Sequence, residues 1–243
     1  MTQGPVNDSI TSLMRIVAKT GVPIFSVDYT LAPEAQAPVQ VIEGYAALNY
    51  LVEREEFGVD RDRVGVMGES AGGTLAACLV HWTIMWYPYM TNDLVSVLTV
   101  QKYPKGPKFR KQILIYPMLD DRNITPDPDP DFRPQLWSHR DNARSWLAFL
   151  GDQASNEYIP PTSSPGRMTL EQARGLPSTY LDIGDKDIFR DECIEYCAKT
   201  AKAGVEIELH VLPGMGHAFD WLYTAKPTVQ AVVRARYRAI SGI

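Results

Sequence analysis

The sequence is poor in cysteine, in net positive charge and in long apolar runs, and each shortage removes a class of function. Three cysteines among 243 residues do not make a disulfide framework. Cys193 and Cys197 stand four apart in DECIEYCAKTAKAG, which reads as a helix with Ile194, Cys197, Ala198 and Ala201 as its apolar stripe. No histidine or second cysteine pair lies nearby in sequence, so the pair is read as small core hydrophobes and not as metal ligands. A net charge of −5 and a pI near 5.4 provide no basic face for phosphates, which argues against a nucleic-acid partner. No apolar run approaches the roughly 20 residues that cross a bilayer. MTQGPVNDSI has neither the basic start nor the apolar core of a signal peptide. Stable membrane insertion is therefore not expected, and the cytoplasm is the expected location. No internal repeat or low-complexity tract occurs.

What is present is the composition of an ordinary globular enzyme, 45% hydrophobic and 22% charged, in a chain long enough for one α/β domain with a sizeable core. Short β-rich runs alternate with helical patterns, the signature of a mostly parallel sheet flanked by helices. PIFSVDY (residues 23–29) is the first expected strand. The helix after it keeps Ile42, Tyr45, Leu48, Leu51 and Val52 at a helical period. Four further strands are expected in RVGVMG (63–68), KQILIYPM (111–118), STYLDIG (178–184) and VEIELHVLP (205–213). Helices are expected from Ala71 to about Val80, around 142–150, over 191–203 and over 228–240, the last with Val232, Val233 and Tyr237 inward. Two stretches interrupt the alternation. Residues 120–176 are rich in Asp, Pro and aromatics, and an insertion of that length between strands is expected to be a lid or substrate-facing cap. Residues 81–106 carry a dense aromatic and methionine cluster that either lines an acyl pocket or adds helix to the core.

The chemistry concentrates in three places. Gly68-Glu69-Ser70-Ala71-Gly72 fits G-x-S-x-G, with a strand before it and a helix-forming run after it. In that setting a sharp turn exposes the Ser70 hydroxyl, and the helix starting at Ala71 points free N–H groups at the site. A serine needs a base to take its proton as it attacks. Of the four histidines, His210 sits inside an alternating strand, and His81 and His139 fall in the irregular inserted segments. All three read as structural. His217 lies in LPGMGHAFD, a loop just after the last strand, where parallel sheets present functional groups; it is the expected base. The third partner must be a carboxylate that orients the imidazole. GDKDIFRDE offers Asp185, Asp187, Asp191 and Glu192. Asp191 and Glu192 read as the N-cap and first turn of the next helix, which leaves Asp185 and Asp187 open.

VDYTLAPE, GESAGG, YPMLDDR, GDKDIFRDE and LPGMGHAFD, in this order, resemble the hormone-sensitive-lipase-like branch of the α/β-hydrolase fold, over about residues 22–219. The resemblance implies a carboxylesterase or lipase that needs no metal or cofactor and acts on a small-molecule ester. It implies Ser70 as nucleophile, His217 as base and, from the family's Asp-x-Leu-x-Asp-Glu pattern, Asp187 as the orienting acid. Ala71 is the oxyanion donor that can be recognised. The assembly is left open between monomer and homodimer.

Three departures from the family pattern stand out. Its His-Gly-Gly-Gly oxyanion loop would fall immediately before Met1, so the chain is expected to be an N-terminally incomplete form without that loop and without the first strands. Thr30 stands in VDYTLAPE where the family usually has arginine. Residues 81–101 replace a short polar link and mark an insertion. The leading expectation is a serine hydrolase for esters of small to medium acyl chains. The alternative is a catalytically impaired binding protein on the same scaffold. Amide or peptide cleavage ranks third.

Overall fold

In a computed structural model of the chain, residues 6–85, 108–124 and 136–243 are described. The parallel strands β1 (Gly65–Glu69), β2 (Lys111–Ile115), β3 (Ser178–Gly184) and β4 (Ile207–Leu212) form one sheet in chain order. Met67 lies opposite Ile113, Ile113 opposite Tyr180, and Leu181 opposite Leu209. The helices are α1 (Val6–Thr20), α2 (Val39–Glu53), α3 (Ala71–Met85), α4 (His139–Leu150), α5 (Arg190–Lys202), α6 (Phe219–Leu222) and α7 (Pro227–Ser241). None of these is long and apolar enough to cross a membrane.

β2 and β3 are buried almost throughout, as their unbroken Ile-Leu-Ile and Tyr-Leu-Asp-Ile runs require of central strands covered on both faces. Side chains alternate across the sheet, and the hydrogen bonds show which helix covers which face. The hydroxyl of Tyr180 donates to the Val232 carbonyl of α7 (3.3 Å), and Asp182 meets Arg236 of the same helix. On the other face Gln112 donates to Thr179 (2.8 Å) and to Tyr196 of α5 (3.2 Å). The His81 ring of α3 meets Tyr196 edge-on at 6.4 Å. α1 packs on α7 and α2 on α3.

The structure corrects the sequence reading in three places. PIFSVDY is not a strand. Among the described residues β1 pairs only with β2, and an extended run becomes a strand only when a neighbour takes its backbone hydrogen bonds. Phe25 instead lies beside Tyr50 and Phe57, each 6.4 Å away. Second, the inward stripe of α5 is Glu192, Cys193, Tyr196, Cys197 and Thr200, while Ile194 is 38% exposed. The face is chosen by Tyr196 and by the carboxylate of Glu192, which serves a neighbouring loop. Third, α3 continues to Met85, so His81 is helical and fully buried. Residues 86–107, which carry most of the aromatic insertion, lie outside the described residues, as do 125–135.

The described parts of residues 120–176 are tied to the rest of the domain. α4 buries Trp146, Phe149 and Leu150 and is tied to the loop before α2, where Ala37 N–H donates to Phe149 O (2.7 Å) and Gln153 Nε2 donates to Ala37 O (2.8 Å). Residues 161–166 are buried. Gly166 N–H donates to Leu119 O (2.7 Å), and Arg167 grips Asp121 through two bonds of 2.7 and 2.6 Å. Thr30 is accommodated without an arginine: its N–H (2.8 Å) and hydroxyl (2.6 Å) both donate to the Glu43 carboxylate.

Glu192 does more than face a helix dipole. Its carboxylate accepts from Leu119 N–H (2.6 Å), Asp120 N–H (3.3 Å) and Asn123 Nδ2 (2.8 Å), pinning the loop after β2 to α5. Burial pushes its pKa up, against those donors. Removing a buried acceptor strands its donors. Glu192→Ala should therefore destabilise the fold by about 3 kcal/mol in urea denaturation, and Glu192→Gln, which keeps one acceptor oxygen, should lose much less.

His81 gives a pH signature. Burial lowers its pKa from 6.5 to about 4, so the folded chain resists a proton that the unfolded chain accepts. Stability is therefore lost as the pH falls below 6.5, and the loss is complete below about 4. Wild type and His81→Leu should diverge over that window by about 3 kcal/mol, with the variant the less acid-sensitive in denaturation measured at pH 7 and near pH 4.

Candidate active site

β1 delivers Ser70 to a turn with no spare residue. Glu69 ends the strand, Ala71 starts α3, and Ser70 between them has φ of 52°, a region that non-glycine residues seldom occupy. Backbone bonds hold it there. Ser70 N–H donates to Ile115 O at 2.9 Å, and Ser70 O accepts from Met118 N–H and Thr74 N–H, each at 3.2 Å. The flanking glycines differ in their reasons. A Cβ on Gly68 would lie 2.1 Å from the Gly72 carbonyl oxygen, and one on Gly73 would lie 2.7 Å from Pro117 Cβ. Gly72 itself has open space, so the close approach of helix to strand falls one residue beyond the five-residue pattern. Ala71 stands at the start of α3, where backbone N–H groups have no intrahelical partner.

The loops after β3 and β4 are stitched together. Lys186 N–H donates to Met215 O (2.8 Å) and Asp185 N–H to Leu212 O (3.0 Å). The two acids left open by the sequence divide here. Asp185 Oδ1 accepts from Gly214 N–H at 2.6 Å and so shapes the loop that carries His217. Asp187, with its side chain fully buried, places Oδ2 2.7 Å from His217 Nδ1, and its Oδ1 accepts from Phe189 N–H at 3.1 Å. His217 Nε2 lies 2.9 Å from Ser70 Oγ. A carboxylate only accepts, so Nδ1 donates to Asp187 and Nε2 is left to receive the serine proton. The structure thus brings together Ser70, His217 and Asp187 in one hydrogen-bonded row.

The other candidates lie elsewhere. Asp191 is exposed and paired with Arg190 Nε (2.7 Å), whose hydrogen bond holds its carboxyl below the usual range. The helix cap expected at Asp191 is at Phe189 instead. His210 pairs with Glu208 (2.8 Å) within β4, and His139 opens α4.

Three contributors escaped the sequence reading. Tyr116 and Phe189 hold the His217 ring between them, with centroids 5.0 and 5.3 Å away and both edge-on. Arg236 is buried behind them. It binds Asp182 through Nε (2.5 Å) and Nη2 (2.8 Å), pairs with Asp220, and lies over the Tyr116 and Phe219 rings at 5.6 and 5.4 Å. A tyrosine directly after an apolar strand was the available signal for Tyr116. The helical period of α7 was the available signal for Arg236, which follows Val232 by four residues on the stripe that buries Val229, Ala239 and Ile240, while Arg234 and Arg238 lie off it. Beside this group, burial and then Asp220 push the Glu69 carboxyl up to about 7.

Comparison with known proteins agrees with this architecture. Residues 3–220 match the family described as the alpha/beta hydrolase fold. Carboxylesterase NlhH of Mycobacterium tuberculosis is 29% identical over 81% of the chain and 56% of its own length. A bacterial heroin esterase superposes with a TM-score of 0.80 at 30% identity, covering 99% of this chain and 70% of that one. Esterase LipW from Mycobacterium marinum also gives 0.80, at 27% identity over 99% and 69%. The chain spans a little over half the length of the curated relatives it matches. With the nucleophile-type turn, the parallel sheet and the family match all in agreement, the chain belongs to the alpha/beta hydrolase fold family, in its hormone-sensitive-lipase-like branch.

Proposed function

We propose that this chain hydrolyses carboxylic esters of small to medium acyl chains through an acyl-enzyme on Ser70. The observation that carries the reading is the row Ser70 Oγ–His217–Asp187, with spacings of 2.9 and 2.7 Å. Nε2 takes the hydroxyl proton as Oγ attacks the ester carbonyl, and the carbonyl π electrons move onto oxygen. The Ala71 N–H at the start of α3 donates to that oxyanion, where the positive end of the helix dipole adds to the effect. Collapse of the tetrahedral intermediate breaks the bond to the alkoxide, which leaves with the proton from His217. Water then attacks the acyl group on Ser70, with His217 again as base, and a carboxylic acid departs. Asp187 holds the imidazole in the required tautomer and offsets its transient charge. We read residues 120–124 and 136–176 as part of the wall that the acyl group meets. The relatives named as carboxylesterase and esterase support this chemistry.

A second reading is an impaired hydrolase that binds without turning over, since Ala71 N–H at the start of α3 is the one oxyanion donor identified among the described residues. The loss of one oxyanion donor alone costs about 10²–10³ in rate. p-Nitrophenyl acetate and butyrate turnover, together with fluorophosphonate labelling, separates the readings. The proposal expects turnover and labelling at Ser70, with kcat lowered about 10⁴–10⁶-fold in Ser70→Ala and about 10⁴-fold in Asp187→Asn. Labelling without turnover indicates the impaired form. Unchanged turnover in Ser70→Ala refutes the assignment.

A further inference from the structure

We propose that Tyr116 and Glu69 are positioning residues for His217, Tyr116 bracing the imidazole ring and Glu69 acting on it through the Tyr116 hydroxyl. This rests on the ester-hydrolase reading of Ser70, His217 and Asp187.

The geometry forms a continuous path. Glu69 is the residue before Ser70, and alternation along β1 sends its side chain toward the α7 face of the sheet. There the Tyr116 hydroxyl lies 3.5 Å from Glu69 Oε2. Burial, then the charge of Glu69, keeps the Tyr116 phenol protonated and therefore donating. The ring of Tyr116 packs edge-on against His217 at 5.0 Å and against Phe219 at 5.7 Å. Arg236 backs both rings and is itself anchored by Asp182 and Asp220. One set of side chains therefore touches the imidazole and also leads back to the backbone that sets Ser70.

Two further observations set Tyr116 apart from ordinary core. It is a bulky residue with φ of 32°, and a non-glycine residue held at positive φ costs free energy that the surrounding structure must offset, a feature that clusters at functional sites. Its N–H donates to Asp182 O at 2.8 Å, which holds it in that conformation. Glu69, for its part, opens on a cavity of about 750 Å³ lined also by Ile115, Asp220, Arg236 and the α1 residues Arg15 and Lys19, so protons reach it from solvent.

The charges around Glu69 decide the direction. Asp220 from α6 and Asp182 from β3 oppose its ionisation. Arg236 from α7 and the Tyr116 hydroxyl favour it, and Arg15, Lys19 and Arg234 line the cavity. Burial outweighs the favourable partners and places the pKa at about 7. Above that pH Glu69 is a carboxylate that accepts from Tyr116 and puts negative charge behind the imidazole, favouring the imidazolium formed in the transition state. Below it the charge is gone. As Glu69 takes its proton near pH 7, the rate should therefore fall by a further factor of about ten.

The experiment is the pH dependence, from pH 5 to 9, of kcat/KM for a p-nitrophenyl ester and of the rate of fluorophosphonate labelling. It is run on wild type, Glu69→Gln, Tyr116→Phe, the double variant and Ser70→Ala. Both substitutions are near-isosteric, and each reads the path by itself if the other fails to fold. Wild type should show an extra drop of about tenfold in kcat/KM centred near pH 7, absent in either variant. At pH 8 kcat should fall about tenfold with KM unchanged, and the double variant should be no slower than the slower single. A drop near pH 7 that persists unchanged in both variants, or losses that simply multiply, overturn the proposal while Ser70→Ala remains inactive and unlabelled. Labelling or turnover that survives in Ser70→Ala, or wild type that neither labels nor turns over, overturns the reading beneath it instead.

Discussion

Between Glu69 and Ala71 the chain leaves a parallel strand and enters a helix with one residue to make the change, and Ser70 takes φ of 52° to do so. A serine would not adopt that conformation unaided. It is held by a hydrogen bond to Ile115 on the neighbouring strand and by two more to its own carbonyl, and it is tolerated because Gly68 and Gly73 leave room for helix and strand to close up. The same turn sends the hydroxyl outward at the carboxyl end of the sheet and aims the first N–H groups of α3 toward it. Every other part of the site is placed relative to this turn.

The loops after β3 and β4 reach the turn only because they brace each other. Asp185 is committed to the amide of Gly214, which leaves Asp187 as the carboxylate that meets the imidazole. Gly184 has no side chain to spare, since a Cβ there would lie 2.2 Å from the Met215 carbonyl oxygen. Farther back, Glu192 draws the loop after β2 onto α5 through three hydrogen bonds. Three acids within eight residues of one another thus have three different tasks, and position relative to the loops, not chemistry, assigns them.

Behind the imidazole sits a buried cation. Arg236 satisfies Asp182 and Asp220 together and covers two aromatic rings, one of which packs on His217. Buried ion pairs of this kind contribute little net stability against a well-packed apolar core but penalise misplacement heavily, because a lone buried charge is costly. The arrangement suits a site that needs its base held in one orientation. Membership of the alpha/beta hydrolase fold does not itself specify a reaction, so the chemistry must be argued from this group of side chains.

Ser70 and His217 were legible in the sequence because each sits in a local motif, a small-residue turn after an apolar strand and a glycine-rich loop after the last one. Short β-rich runs sufficed for β1 to β4, and one-face periodicity for most helices, since burial of one helix face imposes a period that sequence displays directly. Residues 23–29 show the limit of that signal: a run with every strand preference remains a loop when no neighbour takes its hydrogen bonds. The composition of α5 suggested Ile194 inward, yet the helix turns Glu192, Tyr196 and Thr200 inside, because the partners that satisfy those polar groups come from distant segments. The choice between Asp185 and Asp187, the pairing of Arg236 and the contact of Tyr116 with His217 also depend on residues far apart in the chain. Local sequence determined which groups were capable of chemistry. Long-range packing decided which of them meet, because burial, charge pairing and backbone hydrogen bonding are settled only once the sheet has assembled.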